Sequence, residues 1–378
     1  MNGRKQRGIL PAIEVDVSAR EDVPARLAYG TPVFTILAAL SVGGVALLAL
    51  GVNPIAAYER MFVNTLANAP ERTRTLLRAV PLVLTGLAVY LPLRAGLWNI
   101  GAEGQLYLGA ISGTWIGLNV SQSPVVLLPL SILGGALAGG IWGLIPGYLR
   151  ARRGVNEIIA TLMLTFIGVR LAEFLVNGPM QGGLGNIPRS GNLPAAAQLP
   201  AVGLPGFEET HAGVLVALAA VVLVRLLVTR TERGFEIVVT GSNADAARQA
   251  GMNTGLIYVF VLALGGALAG LAGAIEMTGV EGRLYPGFSP GYGFTAIPIA
   301  LLGRRGALRI GAAGLFFALL FVGGANMEFA FDIPAAIVEV IQALVILFLI
   351  TAEFFKRYRI TLRRVETPGP AAAAGEGD

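Results

Sequence analysis

The chain offers few side chains for covalent chemistry. Its 378 residues include no cysteine and a single histidine, His211. Thiolate catalysis, disulfides and Cys-ligated metals are therefore excluded, and a histidine-built zinc or haem site lacks its ligands. No Gly-x-x-x-x-Gly-Lys-Ser/Thr loop is present to cradle a nucleotide phosphate. Nor does any nucleophile, base and acid set stand out. The expectation is a protein that is not an enzyme, with no metal and no cofactor.

The polar residues that remain lie in unusual places. Asn99-Ile-Gly-Ala-Glu-Gly-Gln105 sits inside an apolar run, just beyond Arg94. At 1.5 Å per residue, Glu103 is roughly 13 Å along a helix from that arginine, near the middle of a bilayer. A carboxylate there is costly and needs a partner or a wet cavity. Asn99 and Glu103 are four apart, which on a helix places them on one face. Glu103 then either contacts a solute or staples helices together. Gly101 and Gly104 allow close backbone approach and can interrupt the helix.

Two further stretches carry local signals. In Gly241-Ser-Asn-Ala-Asp-Ala-Ala-Arg-Gln-Ala-Gly251, Ser242 or Asn243 can cap a short helix with Asp245 in its first turn. Gly251 ends that helix. Its alanines make a smooth surface, suited either to docking another protein or to an ordinary linker. In Gly154-Val-Asn-Glu-Ile-Ile-Ala-Thr-Leu-Met-Leu164, Asn156 caps the next apolar run. Arg170 and Glu173 are three apart and pair on one helix face. Glu339 has Gln342 as a neighbour, and His211 falls in an external, solvated loop.

The elements that hold these residues are membrane helices. Charged residues make up 13% of the chain, against roughly a quarter in soluble domains, and mean hydropathy is +0.69. Apolar runs occur at 33–51, 75–93, 97–118, 124–149, 158–177, 213–229, 257–277, 294–302, 311–327 and 335–355. The fold class expected is an all-α polytopic membrane protein of about ten transmembrane helices with both termini cytoplasmic. The run 294–302 is too short to cross and must begin earlier or be broken. With the N-terminus inside, twenty Lys/Arg fall on the inner side and six at the outer side. That asymmetry follows the positive-inside rule. The net charge of +5 therefore marks cytoplasmic loops, not nucleic-acid binding. Residues 1–32 read as a cytoplasmic segment, 33–355 as the membrane domain, and 356–378 as a cytoplasmic, partly disordered tail. Arg94–Gly104 also echoes Arg304–Gly314, as expected of an internal repeat or of two Gly/Ala-rich helices.

Five strings in order resemble the permease subunit of ABC importers in the branched-chain amino acid, simple sugar and nucleoside class. They are Leu97–Gln105, Gly154–Leu164, Gly241–Gly251, Gly265–Ala274 and Gly291–Ala296 followed by Ala300–Gly303. The nearest likeness is to nucleoside permeases that work with a basic-membrane-protein-type binding lipoprotein. The resemblance implies a multi-pass cell-membrane protein importing nucleosides or a related sugar-containing solute. It implies a second permease subunit, a cytoplasmic ATP-binding subunit that hydrolyses ATP, and an extracytoplasmic substrate-binding lipoprotein. It assigns Asp245, Ala246, Ala247, Arg248 and Gly251 to ATPase coupling, with Asp where the family often has Glu. It assigns Asn99, Glu103, Gln105 and Tyr107 to the substrate pathway. Two alternatives stay open: an ion-coupled secondary transporter of a small polar solute, or the same importer class carrying simple sugars or branched-chain amino acids.

Overall fold

A computed structural model describes residues 13–19, 25–182, 187–207 and 209–364. The chain forms two compact units, Met1–Val42 with Leu344–Asp378, and Gly43–Ala343. In the smaller unit, β1 (Ile13–Ala19) pairs antiparallel with β2 (Tyr358–Arg364), from Ile13↔Arg364 to Ala19↔Tyr358. This ribbon is an addition to the all-α expectation. It also gives structure to part of the stretch read as a partly disordered tail. Residues 365–378 lie outside the described residues.

The rest is helical. In chain order the helices are α1 (Ala25–Ala49), α2 (Pro54–Tyr58), α3 (Thr65–Ala67), α4 (Ala69–Arg94), α5 (Ala102–Asn119), α6 (Pro124–Arg153) and α7 (Glu157–Asn177). They continue as α8 (Gly213–Arg230), α9 (Glu232–Ser242), α10 (Ala244–Gln249), α11 (Thr254–Glu276), α12 (Tyr292–Leu302), α13 (Ala307–Phe331) and α14 (Ala335–Arg357). A π turn at Met277–Glu281 extends α11. Among the described residues, seven helices are long and apolar enough to cross a membrane, and Tyr292–Leu302 is a shorter apolar helix.

In the larger unit, α4 is the core. Every residue from Ala79 to Leu93 is buried, as expected of a helix apolar on all sides. α11, α12 and α13 pack against it. α6 carries glycine every fourth residue, at Gly135, Gly139, Gly143 and Gly147, which lines one face. That face meets Gly266 and Gly270 of α11. A methyl group at Gly143 would stand 3.1 Å from the Gly266 Cα, and one at Gly270 would stand 2.9 Å from the Gly139 Cα. Small residues let two membrane helices approach this closely, so that dispersion contacts hold them without a hydrophobic drive. α6 and α7 leave most of their surface outward.

Asn156, Thr231, Asn243 and Asn253 each cap a helix with a side-chain oxygen. Arg170 and Glu173 pair at 2.6 Å, as expected. The amide of Gln342 donates to the Leu320 carbonyl rather than to Glu339.

Candidate functional site

The helix expected over the Asn99 stretch is broken. α4 ends at Arg94, Gly96 takes φ +79°, and α5 starts only at Ala102. Asn99 and Glu103 therefore do not share a helix face, contrary to the spacing argument. The unwound backbone finds its partners on α7, whose polar residues recur every fourth position. Trp98 N donates to Glu157 (3.4 Å), Ile100 N donates to the Thr161 hydroxyl (3.3 Å), and the Thr165 hydroxyl donates to the Ile100 carbonyl (3.4 Å). Arg150 holds Glu157 at 3.4 Å. The Gly154–Leu164 string thus supplies both a helix start and a clamp for the broken segment. Irregular backbone is tolerated inside a membrane protein only where such partners exist.

Asn99 is fully buried and closes a ring with Gln105. Its amide nitrogen donates to Gln105 Oε1 (2.9 Å) and to the Ala88 carbonyl (3.1 Å). Gln105 Nε2 returns a bond to Asn99 Oδ1 (3.2 Å), which also accepts from Gly101 N (3.1 Å). Both amides are occupied by protein groups. Glu103, 3% exposed, accepts from Gly293 N at 2.6 Å. It thereby satisfies an orphan N–H at the start of α12. Ser289 Oγ accepts from Gly291 N and Tyr292 N (3.2 and 3.1 Å), and Gly291 sits at φ +89°. A side chain at Gly293 would strike the Ala102–Glu103 backbone. Tyr107 is buried with its ring centroid 4.6 Å from that of Phe288. Two short helices, α5 and α12, therefore begin side by side in buried surroundings, joined through Glu103. α12 begins two residues before the 294–302 run, as expected, but at eleven residues it is still too short to cross a bilayer by itself.

A second cluster abuts this junction and has no counterpart in the sequence reading. Glu276, 2% exposed, accepts from the Tyr292 hydroxyl at 2.9 Å and lies 3.6 Å from Arg78. Arg78 also donates to the Tyr292 hydroxyl, and its guanidinium lies 5.3 Å from the Tyr292 ring centroid. α4, α11 and α12 are thus tied at one point. Beside it lies a cavity of about 340 Å³ between α4, α11 and α13, lined by Arg74, Arg78, Glu276, Glu281, Phe321 and Asn326 among others. Arg78 reads in sequence as the outer edge of a span. Glu276 sits inside the apolar run 257–277, and a carboxylate there was the available signal.

The Gly241–Gly251 stretch forms the expected capped helix. Asn243 Oδ1 accepts from Asp245 N and Ala246 N, both at 3.0 Å. Gly251 takes φ +83°. Asp245 and Arg248 are exposed and paired, while Ala247 is buried. α9, just before it, ends against the α4–α5 turn. A methyl group at Gly241 would lie 2.9 Å from both the Arg94 carbonyl carbon and Gly96 N. The short helix is therefore adjacent in chain to the element that touches the broken segment.

His211 departs from expectation. It is 5% exposed, not solvated. Its Nδ1 accepts from Gly213 N (3.1 Å), its Nε2 is buried with no hydrogen-bond partner among the described residues, and burial lowers its pKa. Gly279 leaves room for the ring. The echo between Arg94–Gly104 and Arg304–Gly314 also spans different backbone: the first is turn and irregular chain where the second is already α13.

This arrangement, a bundle of apolar helices with interrupted helix starts inside it and an exposed capped helix in a polar loop, is that of a membrane permease. The chain belongs to the family described as branched-chain amino acid transport system / permease component, whose pattern matches residues 72–350. It is 56% identical over 373 residues to a glucose ABC transporter permease protein of Haloferax volcanii, covering 96% of this chain and 98% of that one. It is 32% identical to a guanosine ABC transporter permease protein of Bacillus subtilis, over 84% of this chain and 91% of the relative. It is 31% identical to a nucleoside ABC transporter permease protein of Lactococcus lactis, over 84% and 89%. The chain is thus a permease subunit of the ABC importer class and a multi-pass plasma membrane protein. Permeases of this kind are not catalytic, and the family implies ATP-binding and substrate-binding partners.

Proposed function

We propose that this permease imports a sugar-containing solute, with glucose favoured over a nucleoside. The observation that carries the choice is the 56% identity, spanning nearly both chains, to a permease named for glucose. The nucleoside reading rests on relatives at 32% and 31%. The chain crosses the membrane ten times with both termini cytoplasmic, residues 33–355 forming the membrane domain. Charge asymmetry supports this, and α1, α5 and α12 supply the three crossings beyond the seven long helices. α5 and α12 then begin near mid-membrane. Short, interrupted helices are where transporters of other kinds place their solutes.

A second permease subunit completes the pathway, a lipoprotein delivers the solute from outside, and ATP is hydrolysed on a cytoplasmic partner. That partner docks on α10, through the exposed Asp245, Ala246, Arg248 and Gly251, with Ala247 buried beneath them. Its push reaches the α4–α5 turn through the Gly241 contact, and from there the broken segment. Asn99 and Gln105 hold that segment in shape. Glu103 and Tyr107, at the junction of α5 and α12, border the pathway and change partners as it opens. The test is purification of the tagged chain in a mild detergent, with mass spectrometry of its companions and uptake of labelled glucose and guanosine. An ATPase and a second permease should co-purify, and glucose should compete best. A chain recovered alone that takes up solute on a proton or sodium gradient would establish the ion-coupled alternative instead.

A further inference from the structure

We propose that the cavity between α4, α11 and α13 is a binding site for a neutral, polyhydroxylated solute. This rests on the importer reading above and gives the solute a place on this subunit. At about 340 Å³ the cavity is at the small end of ligand-pocket volumes, roughly 300–1,000 Å³, and suits one small molecule. Its wall is built. Glu276 is buried and fixed by Tyr292 and Arg78. The π turn at Met277–Glu281 brings residues five apart toward one face, so Glu276 and Glu281 both line the same space. Asn326 is fixed in turn, its amide donating to Glu71 (2.8 Å) and to Thr65 (2.9 Å).

The chemistry of the wall selects the ligand class. Two guanidinium groups, Arg74 and Arg78, and two carboxyl groups, Glu276 and Glu281, line it, so the formal charge is balanced. An ion of either sign would meet a like charge. A solute with many hydroxyls finds both donors and acceptors in this wall, and each hydroxyl can act as either. Phe321 adds an apolar face for the C–H side of a sugar ring. The site also adjoins the junction of α5 and α12. Tyr292, the first residue of α12, bonds Glu276, and the next residue bonds Glu103. A hydroxyl that competes for Glu276 loosens the Tyr292 tie and with it the start of α12.

The absence of cysteine makes a direct test possible. Ala325, an exposed residue of α13 lining the cavity, is replaced as Ala325→Cys in the whole importer. Right-side-out vesicles are treated with a membrane-impermeant maleimide, and label on this chain is read by mass. The thiol should react, and saturating glucose, or guanosine if that is what the importer carries, should slow labelling about fivefold or more; sodium chloride should not. In parallel, Glu276→Gln should raise the KM of uptake about tenfold, a loss near 1.4 kcal/mol, at wild-type levels of assembled importer. Ala325→Trp, which fills the space from α13 and leaves Glu276 in place, should abolish uptake if Glu276→Gln fails to assemble. A thiol that never reacts, or reacts equally with and without solute, overturns the site, as does wild-type uptake by Ala325→Trp. A wild-type importer that carries neither glucose nor guanosine overturns the substrate reading and takes the site with it. Transport without protection overturns the site alone.

Discussion

Gly241→Ala tests whether the cytoplasmic helices act on the broken segment through backbone contact. The added methyl would lie 2.9 Å from the Arg94 carbonyl carbon and from Gly96 N, and closer still to the Arg94 oxygen. Ordinary contact begins near 3.4 Å, so one side must move by half an ångström or more. Neither side is a flexible side-chain end; both are backbone. Overpacking of this kind costs about 1–3 kcal/mol. Replacing a helical glycine by alanine returns about 0.5–1 kcal/mol of chain entropy. The net cost, up to about 2.5 kcal/mol, leaves a membrane bundle folded. Where about 1–2 kcal/mol of it falls on one of two transport states, it shifts their balance roughly 5–30-fold. The assay is the purified importer in vesicles, with ATP hydrolysis and solute uptake measured together. The expected result is normal assembly, retained hydrolysis and uptake per ATP reduced about 5–30-fold. Ser242→Ala, one residue along and exposed, is the control and should behave as wild type. Wild-type coupling in Gly241→Ala would refute the contact as the route of transmission. Loss of assembly would show that it only holds the fold.

Arg248→Glu should leave membrane abundance unchanged, because an exposed ion pair is worth at most about 1 kcal/mol. The ATPase should no longer co-purify, and uptake should fall at least about tenfold; normal uptake would remove α10 from coupling. Asn99→Ala breaks the ring with Gln105 and leaves the Gln105 amide and Gly101 N short of partners, at about 1–3 kcal/mol for each buried group. It should lower the thermal midpoint of the detergent-solubilised protein, whereas Glu103→Ala should lower uptake more than it lowers the midpoint. His211 carries a pKa below its ordinary value because burial disfavours the charged ring. The unfolded chain then binds the proton more readily, so stability falls as pH drops through about 6.5 and below. A melt series from pH 7.5 to 5.5 should show this fall, and His211→Gln should flatten it; parallel curves would place the titration elsewhere.

What the sequence disclosed follows from the range of the forces involved. α10, its Asn243 cap and its Gly251 stop depend on neighbours within a few residues, and all three were legible. So was the Arg170–Glu173 pair. The helix face assumed for Asn99 and Glu103 failed because Glu157 and Thr161, about sixty residues away, offer the unwound backbone better partners than a continued helix does. The tie of Arg78, Glu276 and Tyr292 joins three helices. In sequence one member looked like a span edge, and another lay unremarked inside an apolar run. His211 is polar and sits in a polar loop, and only the room left at Gly279 and Gly213 shows that the ring is enclosed.

The same comparison explains where motion can arise. The centre of the contact between α6 and α11, at Gly139, Gly143, Gly266 and Gly270, is glycine against glycine, where no side chain can change rotamer. The junction of α5 and α12 is different. It is held by a few hydrogen bonds, Glu103 to Gly293 N, Ser289 to the α12 start and Tyr292 to Glu276, each worth about 0.5–1.5 kcal/mol, or more where a charge takes part. Such bonds can be exchanged for bonds to solute hydroxyls or water at little net cost. On the proposed reading the α6–α11 contact stays fixed. The α12 start, tied to the cavity wall through Tyr292 and Glu276 and to α5 through Gly293 and Glu103, is then the element that both solute and ATPase would bias.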